Sequence, residues 1–195
     1  MPPAPRQPPA AESDDALVFR LAGGSGDAMA ALSERHLASV FACAWRILGD
    51  RAEAEDVAQE TFVRLLRKAP AWQPDGPALR SWLLRVATNL CIDRRRARAR
   101  LVPIPDEVED LAAPGDPGVD DDLAIRRAVH RALRGLPERQ RVALVLVHFH
   151  GLSGREAAGA LGTSEEALES LLARARRRLR KALAPDVKNL LEPVS

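Results

Sequence analysis

The sequence predicts an all-α protein: two small helical domains joined by an acidic flexible linker, the C-terminal one containing a helix-turn-helix. Three observations carry this. Hydrophobic residues make up 46% of the 195-residue chain and are mainly Ala, Leu and Val; there is no Tyr, and long stretches are rich in Ala, Glu, Leu and Arg. That composition suits helices and is ample for a buried core. Apolar positions also recur at helical spacing in two blocks. Between the blocks runs LVPIPDEVEDLAAPGDPGVDDD, with four prolines, two glycines, eight acidic residues and no basic one, which defeats both helical periodicity and core burial.

The first block, residues 14–100, breaks at GGSGD, LGD and PAWQPDGP, which predicts a short first helix and three longer ones. The third starts at Asp50, a good N-cap with Glu53 at the capping-box position, and carries Val57, Phe62, Leu65 and Leu66 on an apolar stripe. Its acids come first and Arg64, Arg67 and Lys68 last, matching the helix dipole. In the fourth, Trp82, Leu83, Val86, Leu90 and Cys91 face a core, leaving Arg85, Asn89, Asp93 and the arginines from Arg94 to Arg100 outside. Arginine and asparagine suit phosphate contact and base-edge hydrogen bonding respectively.

Residues 101–121 form the linker, extended by its own like charge. The second block, residues 122–184, reads as four helices: Asp122 to Gly135, Pro137 at the first helical position to about His150, Ser153 to Leu161, and Thr163 to about Ala184. Two capping boxes, Ser153 with Glu156 and Thr163 with Glu166, lie ten residues apart, and Gly162 is placed to turn the chain between them. A short helix, a glycine turn and a longer helix form either an ordinary helical hairpin or a helix-turn-helix, whose second helix can enter the DNA major groove. Arg174, Arg176, Arg177, Arg178, Arg180 and Lys181 follow without an intervening acid, which favours a surface that neutralises phosphates over a merely solvated face.

Other features exclude more than they assign. The net charge of +2 conceals strong segregation of acids from bases. Cys43 and Cys91 sit inside apolar helical patterns and read as small buried side chains in a reducing, cytoplasmic protein. His148 and His150 lack further ligands nearby and belong to a helix end, so no metal or other cofactor is expected. No apolar run approaches membrane-spanning length. Residues 1–13 read as a disordered Pro-rich tail and 185–195 as a C-terminal tail. There is no Gly-rich phosphate loop, di-metal Glu-x-x-His pair or nucleophile motif, so no enzyme is expected and no catalytic residue assigned. A one-component helix-turn-helix regulator and a protein-interaction module are the competing classes.

In order, LGDRAEAEDVAQETFVRLLR, LRSWLLRVATNLCIDRRRAR, LRGLPERQRVALVLVHFHGLSGREAAGALGTS and ESLLARARRRLRKAL resemble successive blocks of the bacterial extracytoplasmic-function (ECF) sigma factors, over about residues 14–184. The resemblance implies an alternative sigma factor for promoter-specific transcription initiation in a stress or envelope response. Residues 14–100 would then be region 2, binding core RNA polymerase and the minus-ten element. Residues 122–184 would be region 4, binding the polymerase flap and the minus-thirty-five element of promoter DNA. It implies that Asp56, Gln59 and Glu60 contact the clamp coiled coil of the polymerase, that Arg85, Asn89, Arg94, Arg95 and Arg96 serve the minus-ten element, and that an anti-sigma factor hides the polymerase-binding faces. Trp72, in the loop Ala69 to Pro77, lies where the family captures a flipped base; it offers either a stacking surface or a hydrophobic plug. For the minus-thirty-five element the matching residues are Ser164, Glu165, Glu166, Glu169 and Ser170, with Arg174 and Arg177 anchoring the backbone. Glu169 and Leu171 depart from the Lys and Arg that many members carry there, which points to an unusual base preference, since a carboxylate can accept from cytosine N4.

Overall fold

The computed structural model describes residues 12–101 and 121–191, with side chains placed for residues 12–98 and 128–184. Most of the expected linker, residues 1–11 of the expected N-terminal tail and residues 192–195 of the expected C-terminal tail lie outside the described residues. The described chain is helical, in the order α1 (Asp14–Ala22), α2 (Gly26–Leu48), α3 (Arg51–Lys68), a 3-10 turn (Ala69–Ala71), α4 (Leu79–Leu101), α5 (Asp121–Arg134), α6 (Glu138–Leu144) continuing into a π turn (Val145–Phe149), α7 (Gly154–Leu161) and α8 (Glu165–Leu191).

Local chemistry sets most of these boundaries. Ser13, Ser25 and Asp50 cap α1, α2 and α3 by accepting from the N–H groups of Ala16, Ala28 and Glu53, satisfying donors that the helices leave unpaired. Helix α2 stops at Gly49, whose φ of 73° is left-handed backbone. Helix α3 buries Ala54, Val57, Ala58, Thr61, Phe62 and Leu65 along one stripe. Leu66, expected on that stripe, is 49% exposed, because it lies a full 100° step around the helix from Leu65.

The C-terminal helices depart from the sequence expectation at three ends. Pro137 has an extended ψ of 140° and sits just before α6 rather than inside it. The end of α7 is a Schellman closure: Thr163 N–H donates to Ala158 O at 3.0 Å and Gly162 N–H to Gly159 O at 3.4 Å, with Gly162 at φ 58°. Thr163 is consumed in that closure, so Ser164 caps α8 instead, its Oγ accepting from Ala167 N–H at 3.2 Å. The backbone of α8 also runs on past Ala184 to Leu191, into the stretch expected as a tail.

The two helical bundles dock on each other. Helix α4 packs along α7, and α2 meets α5, α6 and the π turn, so that the buried apolar residues of both bundles form one continuous cluster. Trp45 of α2 stacks on His130 of α5 with ring centroids 4.2 Å apart. Arg141, only 2% exposed, donates to the carbonyl oxygens of Ile47 at 2.8 Å and Leu136 at 3.2 Å, and also to Arg134 O. A buried guanidinium is stable only with such acceptors, and here one of them belongs to the other bundle.

Candidate nucleic-acid interface

Three surfaces hold the expected binding residues. On α3, Asp56 and Gln59 are exposed and Glu60 is half-buried. Glu60 accepts from Arg64 Nε at 2.9 Å across one helical turn, an exposed pair that contributes at most about 1 kcal/mol. Val63 and Leu66 beside them are exposed apolar groups, so this face mixes charge with grease.

On α4, Arg85, Asn89, Asp93 and Arg96 are exposed, as the periodicity predicts. Arg94 and Arg95 are not simply outside. Arg94 Nη1 reaches Glu53 O at 3.2 Å and Asp56 Oδ2 at 3.4 Å, so the structure brings together residues expected to serve two different partners. Arg95 Nε reaches Glu138 Oε2 at 3.3 Å and its Nη1 reaches Ile47 O at 3.5 Å, placing it at the seam between the bundles. The physical reason is local: α3 and the start of α6 offer carboxylates, and the end of α2 offers a carbonyl, along the flank of α4. Trp72 is 8% exposed, its Nε1 donates to Asp15 Oδ1 at 2.8 Å, and it packs edge-on to Trp82. Trp72 is the plug, and its ring is not offered for stacking.

On α8, Ser164, Glu165, Glu166, Glu169, Ser170, Arg174 and Arg177 are all exposed along the second helix of a helix-turn-helix. Glu165 sits 3.7 Å from Arg155 of α7. The Glu166 carboxyl is held below its usual range by its own backbone N–H and by Ser164. Leu171 is partly buried against the core, so at this departure from the family pattern the side chain packs inward.

Sequence reasoning missed the seam itself. Ser81 of α4 donates to Glu156 Oε1, while Glu156 Oε2 completes the capping box of α7 by accepting from Ser153 N–H at 2.9 Å. These hydrogen bonds from Ser81 and Ser153 lower the Glu156 pKa. Arg80 Nη2 donates to His150 O at 2.5 Å, and His150 Nδ1 lies 3.2 Å from Ser39 Oγ of α2. Burial, with Arg46 and Arg80 nearby, pushes the His150 imidazole down to about 4. Only the Ser153-x-x-Glu156 pattern carried a signal, and it announced a cap rather than an interface. The cysteines behave as expected of small core groups: burial raises Cys91 well above its usual range and Cys43 to about 12. Among the described residues no group of three or more His, Cys, Asp or Glu is placed to hold a metal ion, and no helix is long and apolar enough to cross a membrane.

The fold and these surfaces define a helical protein of two bundles with a DNA-suited helix-turn-helix in the second. Comparison with known proteins narrows the class. Residues 32–101 match the Sigma-70 region 2 family and residues 126–179 match Sigma-70, region 4. The chain is 34% identical over 157 residues to the ECF RNA polymerase sigma factor SigE of Mycolicibacterium smegmatis, covering 78% of this chain and 60% of that one. It is 32% identical over 185 residues to the RNA polymerase sigma-H factor of Pseudomonas aeruginosa, covering 89% of this chain and 95% of that one. Among solved structures it is similar to CnrH in complex with the cytosolic domain of CnrY, with TM-score 0.63 and 30% identity over 90% of this chain and 99% of that one. It is also similar to the sigma factor RpoE of Bartonella quintana in complex with the anti-sigma factor NepR, with TM-score 0.63 and 25% identity over 76% and 91% of the two chains. The chain belongs to the ECF RNA polymerase sigma factor family.

Proposed function

We propose that this protein is an alternative sigma factor that binds core RNA polymerase in the cytoplasm and directs promoter-specific transcription initiation under anti-sigma control, in a stress or envelope response. The observation that carries the reading is the presence on one chain of both matched regions, one with an exposed polar helix face beside an arginine-rich helix and the other with an exposed helix-turn-helix. In this reading Asp56, Gln59 and Glu60 dock on the polymerase clamp, where complementary charge sets register and encounter rate more than raw affinity. Arg85, Asn89, Arg94, Arg95 and Arg96 serve the minus-ten element. Helix α8 reads the minus-thirty-five element through Ser164, Glu165, Glu166, Glu169 and Ser170, with Arg174 and Arg177 on phosphates. The work is binding and positioning, and no catalytic group is assigned. Complexes of similar proteins with CnrY and NepR support control by a sequestering partner here.

The test is co-purification with core polymerase followed by run-off transcription. Gln59→Ala with Glu60→Ala is expected to weaken core binding about tenfold while leaving helicity unchanged, since both side chains are surface groups. Undiminished core affinity in the double variant contradicts the assignment of the α3 face.

A further inference from the structure

Side chains of α2 and α4 reach polar atoms of the second bundle across the seam. Arg80 donates to His150 O at 2.5 Å, Ser81 donates to Glu156, Ser39 Oγ lies 3.2 Å from His150 Nδ1, and Arg95 reaches Glu138 at 3.3 Å. Two key groups of the second bundle stay paired when these links part. Glu156 keeps Ser153, and the buried Arg141 gives up Ile47 O but keeps Arg134 O and Leu136 O. Such an interface resembles a transient contact, one that separates without stranding those buried groups. Docking also limits what DNA the chain can span. Helix α4 packs on α7 and α7 on α8, so the axes of α4 and α8 lie two interhelical spacings apart, roughly 20 Å where they pack. Elements centred at minus ten and minus thirty-five are about 25 base pairs apart, about 85 Å along a straight duplex.

We infer that the docked arrangement is an autoinhibited resting state of the free chain, held by Ser39, Arg80 and Ser81 as a latch and opened when core polymerase binds. The inference rests on the reading of α4 and α8 as the helices that serve the two promoter elements. A docked chain cannot place both helices on one promoter, so the polymerase has to hold the bundles apart. Glu138 meanwhile occupies Arg95, where a phosphate of the minus-ten element would sit, so docking also covers part of that surface. The apparent affinity for core polymerase is then reduced in proportion to the fraction of molecules that are open. The latch residues lie outside the polymerase-binding and DNA-binding sets, and they act only through the equilibrium between docked and open chains.

The experiment measures resonance energy transfer between dyes at Glu34→Cys on α2 and Ala173→Cys on α8, both exposed positions, in the full chain. Cys43 and Cys91 are buried and do not compete for the label. The free protein is expected to show high transfer, and addition of core polymerase to lower it. The triple variant Ser39→Ala, Arg80→Gln, Ser81→Ala is expected to show low transfer when free, with unchanged helicity, and to bind core polymerase about tenfold more tightly. Low transfer in the free, unsubstituted latch overturns the inference. Transfer in the triple variant equal to that of the intact latch overturns it as well, and so does a separated triple variant with unchanged core affinity. If core polymerase binds neither protein, the reading as a sigma factor fails and the inference falls with it. If core polymerase binds the intact latch and transfer stays high, only the autoinhibition fails.

Discussion

Helices α4 and α8 both carry arginine runs, RRRAR in the first and RARRRLR in the second, yet they meet their surroundings differently. In α4, Arg94 and Arg95 are half-buried and engaged with Asp56, Glu138 and backbone carbonyls. In α8, Arg174, Arg177, Arg178 and Arg180 are exposed. A ligand that approaches Arg95 meets a carboxylate already bonded to it, Glu138, whereas Arg174, among the described residues, makes no ion pair. Two runs that look alike as charge therefore differ in what binding costs, because the seam between the bundles passes along α4 and not along the exposed face of α8.

The largest expected effect comes from removing the α4 run. Arg94→Ala, Arg95→Ala and Arg96→Ala together are expected to reduce open-complex formation about a hundredfold or more, the loss of several charge-assisted contacts. Permanganate reactivity of unpaired thymines reads this directly, and core affinity should change far less. Wild-type melting by the triple variant would make α4 a docking element only.

A smaller effect is expected from pH. His150 is buried at the seam with its imidazole pushed down to about 4, so the docked state favours the neutral ring. Its contribution is complete above the ordinary value near 6.5 and is lost as pH falls from there toward about 4, at on the order of 1 kcal/mol per pH unit. The urea midpoint at pH 5 should fall below that at pH 7, and His150→Gln should flatten the difference. An equal pH dependence in the variant would remove His150 as its source.

The smallest effect belongs to Glu138→Gln. Its link to Arg95 is partly exposed and contributes about 1 kcal/mol or less, so amide exchange along the second half of α4 should quicken by severalfold at most while α8 is unaffected. Equal acceleration in both helices would mean that the substitution loosens the whole fold, and the contrast between them would vanish.

The contrast also marks what the sequence could reveal. Capping and turn residues act on their own neighbours, so Asp50, Ser153, Glu156 and Gly162 announced helix ends that the structure places within a residue or two. Exposure along α8 was legible for the same reason, since helical periodicity decides it. The seam was not legible. Its key acceptor, Ile47 O, is a backbone atom with no side-chain signature, and it receives both Arg95 and the buried Arg141. The π turn at Val145–Phe149 is equally silent in the pattern of apolar residues, yet it leaves His148 and Phe149 exposed and turns His150 inward toward Ser39. Trp72 shows the limit from the other side: an aromatic in a loop suits either a stacking surface or a plug, and its burial, its bond to Asp15 and its packing against Trp82 decide for the plug.

The division of labour between the two helices can be measured by site-specific photocrosslinking in the holoenzyme bound to one promoter. Asn89 on α4 and Ser170 on α8 are both exposed, so a probe at either position points out of the core. The account predicts crosslinks from position 89 confined to the minus-ten element and from position 170 confined to the minus-thirty-five element. Crosslinks from both positions to the same element, or from neither to DNA, would contradict it.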